Sequence, residues 1–133
     1  MLRTIPLLAF VAVAYNVLAL VTGSNPDASA LSVRLPSQAT WSLSIGDLLV
    51  AIGICVLYLE ILKATRTSAA AVLDHALSII VFVICLLEFL LIPQMGTASF
   101  FLITLMTFVD VIAGFTVTIS AARRDVGLGS GLR

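Results

Sequence analysis

The chain has 133 residues, the length of a single domain. Hydrophobic residues make up 61% of it and charged residues only 11%, whereas a soluble domain carries about 25% charged residues. Seven basic residues balance seven acidic ones, so the composition excludes a water-facing globular surface and gives no reason to expect nucleic-acid binding.

Four apolar segments are long enough to form transmembrane helices, which need roughly 20 mostly apolar residues each. The predicted spans cover residues 4–22, 44–63, 71–92 and 98–121. They predict an all-α membrane protein, an antiparallel four-helix transmembrane bundle over residues 1–122, with an external loop at 23–43. Residues 123–133, rich in glycine, are predicted to be a flexible cytoplasmic tail.

The lysines and arginines predict the orientation, because cytoplasmic loops carry an excess of these residues. With the amino terminus inside, only Arg34 lies outside. The other six basic residues are then cytoplasmic: Arg3, Lys63, Arg66, Arg123, Arg124 and Arg133. The first span has the basic start of a signal peptide, but its apolar stretch of about 17 residues is longer than is usual there. We therefore expect a retained span and two cytoplasmic termini.

The external loop has a period-two pattern on both sides of a Pro/Ser turn. Leu31, Val33 and Leu35 alternate with polar residues before the turn, and Trp41 and Leu43 do so after it. Such alternation is typical of a short β-hairpin, here lying on the outer membrane face with its tryptophan at headgroup level. An irregular loop packed on the bundle fits the residues equally well, and both interpretations stay open.

Residues three and four positions apart share one face of a helix, and each predicted span has a small or polar stripe by this rule. We expect the stripes to face one another, because small residues allow close helix contact and polar ones avoid lipid. The stripes are Ala9, Ala12, Asn16, Ala19 and Gly23; Asp47, Ala51, Ile54 and Tyr58, with Gly46 and Gly53 beside them; Asp74, Ser78, Val81, Cys85 and Glu88; and Thr107, Asp110, Gly114, Thr118 and Ala121.

Five polar residues within the spans are candidate functional positions: Asn16, Asp47, Glu88, Thr107 and Asp110. At a rise of about 1.5 Å per residue, Asp47 and Glu88 fall roughly 10 Å outward of the midplane and Asp110 falls near it. No lysine or arginine is expected at their depth, so Asp110 and Glu88 should often be protonated. They could form a proton or cation relay or bind a cationic ligand. Alternatively, they donate hydrogen bonds to backbone carbonyls, Asn16 or Thr107 and join helices.

A second candidate group lies at the cytoplasmic edge and consists of Glu60, Lys63, Asp74 and His75. Glu60 and Lys63 are three residues apart and can pair, for at most a few tenths of a kcal/mol if they are exposed. His75 could carry a proton with Asp74 or Glu60 as its partner, or simply be an interfacial polar residue.

Enzymatic motifs are absent from the sequence. It has no phosphate-binding glycine loop, H-E-x-x-H, CxxC or G-x-S-x-G pattern, and two isolated cysteines do not form a metal signature. We therefore expect no enzyme activity, cofactor or metal. The predicted function is that of a small subunit or assembly factor that contacts lipid and partner membrane proteins or copies of itself. The alternative is a small proton- or cation-coupled transporter or conducting protein that uses the intramembrane carboxylates.

Two families were compared with the sequence. Small multidrug resistance transporters share the size and the four spans, but the glutamate that marks their first span is missing, and Asn16 is the only strongly polar residue there. The stretches at residues 46–49, 60–68, 73–78, 113–119 and 121–125 resemble uncharacterised small four-span proteins of bacterial inner membranes. This resemblance implies a multi-pass protein of the inner (plasma) membrane and no particular activity.

Overall fold

The computed structural model describes residues 5–64 and 69–129, apart from the side chains at 69–72, 118 and 121–129. It is mostly helical, with a small two-stranded antiparallel sheet. Its elements are α1 (Leu8–Asn16), β1 (Ser29–Arg34), β2 (Thr40–Ser44), α2 (Ile45–Ala64), α3 (Ala69–Leu91) and α4 (Ala98–Gly129). A π-helical segment, Val17–Val21, continues α1, and a 3₁₀ turn, Pro93–Met95, precedes α4. Arg3, Arg66 and Arg133 lie outside the described residues.

Three helical segments in the described part of the chain are long and apolar enough to cross a membrane. They are Ile45–Ala64, Leu73–Leu91 and Ala98–Val117, close to the second, third and fourth predicted spans. The first predicted span contains a shorter apolar helix, Leu8–Val21. Its last turn is wider than an α-helical turn, because the amide of Thr22 donates to the carbonyl of Val17 at 3.1 Å.

Local side-chain chemistry determines where α2 and α4 begin. Ser44 and Asp47 form a capping box: the Ser44 amide donates to the Asp47 carboxylate and the Asp47 amide donates to Ser44 Oγ, each at 2.9 Å. Before α4, Thr97 Oγ1 accepts from the Phe100 amide at 3.2 Å, as an N-cap does. Pro93 cannot continue α3, which ends two residues earlier.

The last helix is longer than predicted. The fourth span was expected to end at residue 121 and the flexible tail to begin at 123, but α4 continues to Gly129. Alanines and arginines at 121–124 favour a helix, and the first glycine after them is Gly127. The helix thus extends beyond the predicted end of the span, and residues 130–133 of the predicted tail lie outside the described residues.

The segment between α1 and α2 is a β-hairpin, so the irregular-loop interpretation is wrong. β1 and β2 pair antiparallel through a three-residue turn at residues 36–38. The Gln38 amide donates to the Leu35 carbonyl and the Leu35 amide to the Ala39 carbonyl, each at 2.9 Å. Pro36 suits the first central position of this turn, and Gln38 has a left-handed φ of 68°, typical of a type I turn followed by a bulge.

α4 contacts each of the other three helices, and the core forms around it. Glycines on α2 allow the close approach. A Cβ on Gly53 would lie 2.6 Å from Met106 Cε, and a Cβ on Gly46 would lie 2.7 Å from Ser99 Oγ. The fully buried apolar side chains include Leu8, Tyr15, Cys85, Met95, Phe100 and Ile103.

The predicted inward stripe of α2 is wrong, because its members are exposed: Asp47, Ala51, Ile54 and Tyr58. The buried residues of α2 are Gly46, Gly53 and Glu60. The two glycines and not the aspartate define the packed face, since only a side chain as small as hydrogen admits α4 at this distance.

The predicted stripes of α3 and α4 are confirmed where their side chains are described. Asp74, Ser78 and Cys85 are buried on α3, as are Thr107, Asp110 and Gly114 on α4, with Val81 and Glu88 half-buried. Thr118 and Ala121 lie outside the described side chains.

Candidate functional site

Lys63, in the last turn of α2, contacts three oxygen atoms. Its Nζ lies 2.7 Å from Glu60 Oε2, 2.9 Å from Asp74 Oδ1 on α3, and 3.1 Å from the carbonyl oxygen of Ile5, just before α1. The ammonium donates a hydrogen bond to the Ile5 carbonyl and lies within ion-pair distance of the two carboxylates. One side chain thereby joins α2, α3 and the segment that leads into α1.

Glu60 is buried, with 1% of its surface exposed. One carboxylate oxygen pairs with Lys63, and the other accepts a hydrogen bond from the amide of Leu7, the N-cap residue of α1. The first amides of a helix have no partner within it, and a carboxylate is favoured there. Glu60 and Lys63 therefore pair as their spacing allows, and the small magnitude of an exposed pair does not apply because Glu60 is buried.

Asp110, buried on α4, lies among the residues that the sequence predicts at the cytoplasmic edge. It is hydrogen-bonded to Ser78 and interacts electrostatically with Asp74, His75 and Lys63. Asp110 is thus grouped with Ser78, Asp74 and His75 of α3 and not with Glu88. We call the six residues the Lys63 cluster: Glu60, Lys63, Asp74, His75, Ser78 and Asp110.

The imidazole of His75 is held between two residues of α4. Its ring meets Phe115 edge-to-face, with centroids 5.2 Å apart and an interplanar angle of 76°. On Gly114, a Cβ would overlap the imidazole ring itself. His75 Nε2 is buried and has no hydrogen-bond partner in the described part of the chain. The ring is therefore positioned by its packing against α4.

The charges of the described Lys63 cluster do not balance. It contains three carboxyl groups, on Glu60, Asp74 and Asp110, and one ammonium. If all were ionised and His75 were neutral, the cluster would carry two net negative charges. Burial of uncompensated charge is costly, so the described carboxyl groups, if ionised, would favour a further cationic partner.

Two other predicted intramembrane candidates form a separate pair. Asn16 Nδ2 donates to Glu88 Oε2 at 3.0 Å and joins α1 to α3. Asn16 Oδ1 is buried without a hydrogen-bond partner among the described residues. Thr107 joins neither this pair nor Asp110, because its hydroxyl donates to the Thr104 carbonyl at 2.7 Å.

Asp47, the remaining intramembrane candidate, is exposed and belongs to the capping box of α2. The structure thus divides the predicted candidates among three places. Asp110 joins the cytoplasmic-edge group, Asn16 and Glu88 form a pair, and Asp47 caps a helix.

Tyr15 belongs to a further polar group, which the sequence pattern did not indicate. The Tyr15 hydroxyl, on a fully buried side chain, lies 2.5 Å from Thr97 Oγ1 and donates to Asp27 Oδ1 at 3.4 Å. Its ring packs on Phe100 with centroids 5.1 Å apart. The available signal was a tyrosine beside Asn16 in the middle of an apolar helix, since a buried phenol needs a hydrogen-bond partner.

Two cavities lie elsewhere in the described chain. A cleft of about 490 Å³ is bounded by residues in 19–26 and by Pro93, Gln94 and Thr97. An apolar groove of about 300 Å³ runs between α1 and α2, past Phe10 and Ile52. Neither is lined by a member of the Lys63 cluster. Among the described residues, no group of three or more His, Cys, Asp or Glu side chains could hold a metal ion.

The chain matches no protein-family model, no curated protein and no solved structure. The resemblance to small four-span proteins of bacterial inner membranes therefore stays a prediction. Function has to be inferred from the geometry of the polar groups and of the exposed surface.

Proposed function

We propose that this chain is a non-enzymatic integral membrane protein that acts as a small subunit or as an assembly or interaction factor of a membrane complex. The main support is the arrangement of its side chains. Polar groups of the helices lie in the interior, either within the Lys63 cluster or next to it. Large apolar side chains cover the outer surface. A helix that is apolar on its outer face belongs in lipid or against another protein.

Membrane insertion is supported by every helix of the described chain. Phe10 on α1, Ile54 on α2, Leu90 on α3 and Phe115 on α4 are all about half exposed or more. Such side chains are favourable in a bilayer and unfavourable in water, where each would expose apolar area at about 25 cal/mol per Å². Insertion removes this cost without any change in fold.

The contacts at one end of the helices support an antiparallel bundle. The Leu7 amide at the start of α1 bonds to Glu60 near the end of α2. Lys63 at the end of α2 pairs with Asp74 near the start of α3. The start of α1, the end of α2 and the start of α3 therefore lie at one level.

The contacts at the other end complete the arrangement. Asn16 near the end of α1 bonds to Glu88 near the end of α3, and Tyr15 bonds to Thr97 just before α4. The helix Leu8–Val21 thus reaches towards both levels although it has 14 residues. At about 1.5 Å per residue it is about 21 Å long, and local bilayer thinning or polar flanking residues would accommodate it in a core of about 30 Å.

The orientation follows from the basic residues. Both termini are cytoplasmic in the proposed arrangement, in a bacterial inner membrane, because six of the seven lysines and arginines then face the cytoplasm. The Lys63 cluster then lies in the cytoplasmic half of the bundle and the hairpin lies outside.

A scaffold or partner-binding role fits the filled interior. Tyr15, Met95, Phe100 and Ile103 are fully buried between the helices, and the Lys63 ammonium has three partners. Such a core holds four helices together, so the specificity for binding partners would come from side chains on the outer surface. We infer that the protein acts by binding other membrane proteins through that surface.

Photocrosslinking in native membranes tests the proposal. A photoreactive phenylalanine analogue replaces Phe101, which is 47% exposed, or its neighbour Phe100, which is fully buried and serves as the matched control. Tyr58 provides a second exposed position on α2. We expect a discrete adduct with another membrane protein from an exposed position and none from Phe100. Lipid adducts alone from exposed positions on all four helices would contradict the proposal.

A proton- or cation-coupled transporter is the second candidate. It is favoured by the charge imbalance of the Lys63 cluster and by the unpartnered Nε2 of His75. Flux of protons and monovalent cations into reconstituted vesicles tests it. A transporter would lose its flux in Asp110→Asn. It would keep its flux in Asp47→Asn, the control that makes the same substitution at the exposed capping residue of α2. Wild-type vesicles that conduct no more than empty ones would exclude this candidate and support the first.

A further inference from the structure

The hairpin between α1 and α2 has one apolar and one polar face. Across the two strands, Leu31 pairs with Leu43 and Val33 with Trp41, and these side chains share a face because alternate residues of a strand point the same way. The opposite face carries the pairs Ser32 with Ser42 and Arg34 with Thr40. The amphipathic pattern is thus built into the register.

The apolar face is not covered by the rest of the described chain. Leu31 is 52% exposed, Val33 42% and Trp41 47%. A two-stranded hairpin alone is at best marginally stable in water, and a contiguous apolar face usually contacts something. We therefore expect this apolar face to be buried against another molecule or against lipid.

The base of the hairpin is fixed at the start of α2. β2 ends at Ser44 and α2 begins at Ile45, so no linker separates them. The Gly46 amide donates to the Pro26 carbonyl at 2.8 Å, and a Cβ on Gly46 would overlap Asp27. Trp41 is four residues from α2, at most about 13 Å along a strand. The hairpin is thus held near the membrane surface if α2 crosses the bilayer.

We propose that the hairpin lies flat in the lipid headgroup region, with Leu31, Val33 and Trp41 directed towards the acyl chains. This inference rests on the membrane insertion proposed above. Lipid is favoured over a protein because the face is continuous with the end of a transmembrane helix, carries no charge, and contains a tryptophan, which prefers the membrane interface. Arg34, on the other face, remains near water and lipid phosphate.

Fluorescence gives a direct test, because Trp41 is the single tryptophan of the full chain. The wild-type protein is reconstituted in vesicles whose lipids carry bromine near the ester end or near the methyl end of the acyl chain. We expect blue-shifted emission, strong quenching by the ester-end bromine, and weaker quenching by the methyl-end bromine. The matched control, Trp41→Phe with Ser42→Trp, moves the reporter to the polar face and should be red-shifted and less quenched.

Three results would overturn the inference. One is red-shifted emission from Trp41 that bromine does not quench, in protein that alkaline extraction leaves in the vesicles. That result would leave the proposed function intact, whereas loss of the protein on extraction would remove both. Another is equal quenching of the two reporters. The third is a blue shift that disappears when the protein is diluted in lipid, which would indicate a second copy as the cover.

Discussion

The ammonium of Lys63 lies 2.9 Å from Oδ1 of Asp74 and ties the end of α2 to the start of α3. The same ammonium pairs with Glu60, which also accepts from the first turn of α1. Through Asp110 the group extends to α4. Lys63 thus joins α2, α3 and the segment that leads into α1, and the Lys63 cluster also includes Asp110 of α4.

Replacing Lys63 should strongly destabilise the fold. Lys63→Met keeps the length of the side chain but leaves Glu60 and Asp74 buried without their cation. Removing one partner of a buried ion pair costs about 3 kcal/mol or more. The free energy of unfolding in mixed detergent micelles measures this loss.

The control for Lys63→Met is Arg34→Met, which removes the same charge from an exposed strand of the hairpin. It should change the unfolding free energy by less than about 0.5 kcal/mol, as most surface substitutions do. Equal effects of the two substitutions would mean that the Lys63 contacts do not stabilise the protein.

Gly114→Ala should disrupt the packing of the His75 imidazole against α4. The added methyl group would occupy the position of the imidazole, and overpacking of this kind costs about 2 kcal/mol. Gly96→Ala is the matched control, because its new Cβ would be no closer than 3.5 Å to its nearest neighbour. Thermal unfolding of the detergent-solubilised variants provides the measurement.

A double substitution tests whether the imidazole is the cause. His75→Ala in the Gly114→Ala background removes the obstructing ring, so part of the lost stability should return. If the two changes were simply additive, the ring would not be the obstacle, and the proposed packing at Gly114 would be refuted.

The pair between Asn16 and Glu88 should act as a hydrogen bond between helices and not as an ionic site. Glu88→Gln keeps an oxygen that can accept from Asn16, and we expect it to unfold like the wild type. Glu88→Leu removes the acceptor and should cost about 1 kcal/mol, the scale of such bonds in membranes. Unfolding in mixed micelles compares them, and a loss in Glu88→Gln as large as that in Glu88→Leu would argue for an ionised carboxylate.

Much of the fold could be predicted from the sequence. The three long helices follow from apolar length alone, and the alternating residues around Pro36 indicated a hairpin without deciding between it and an irregular loop. The inward residues of α3 and α4 were predictable because small and polar side chains recur there at helical spacing. On α2 the same rule chose the face of Asp47, since it weighted an acid over Gly46 and Gly53.

The grouping of the polar residues could not be predicted. Depth estimates place Asp110 near the midplane and away from the predicted cytoplasmic-edge residues, whereas the structure groups it with Ser78, Asp74 and His75 of α3. The role of Tyr15 was missed for a related reason. Its partners, Asp27 and Thr97, are distant in the chain, and only tertiary packing brings them together.

The central claim is a membrane protein with four crossings and both ends in the cytoplasm, and accessible-cysteine labelling tests it most directly. Cys55→Ala and Cys85→Ala remove the two native thiols, and single cysteines then replace Thr4, Ser37 or Ser130. A thiol reagent that cannot cross the membrane should label Ser37→Cys in intact cells, and the other two only after permeabilisation. Because α1 is short, the position of residue 4 distinguishes four crossings from three. Labelling of Thr4→Cys or Ser130→Cys in intact cells would contradict the account.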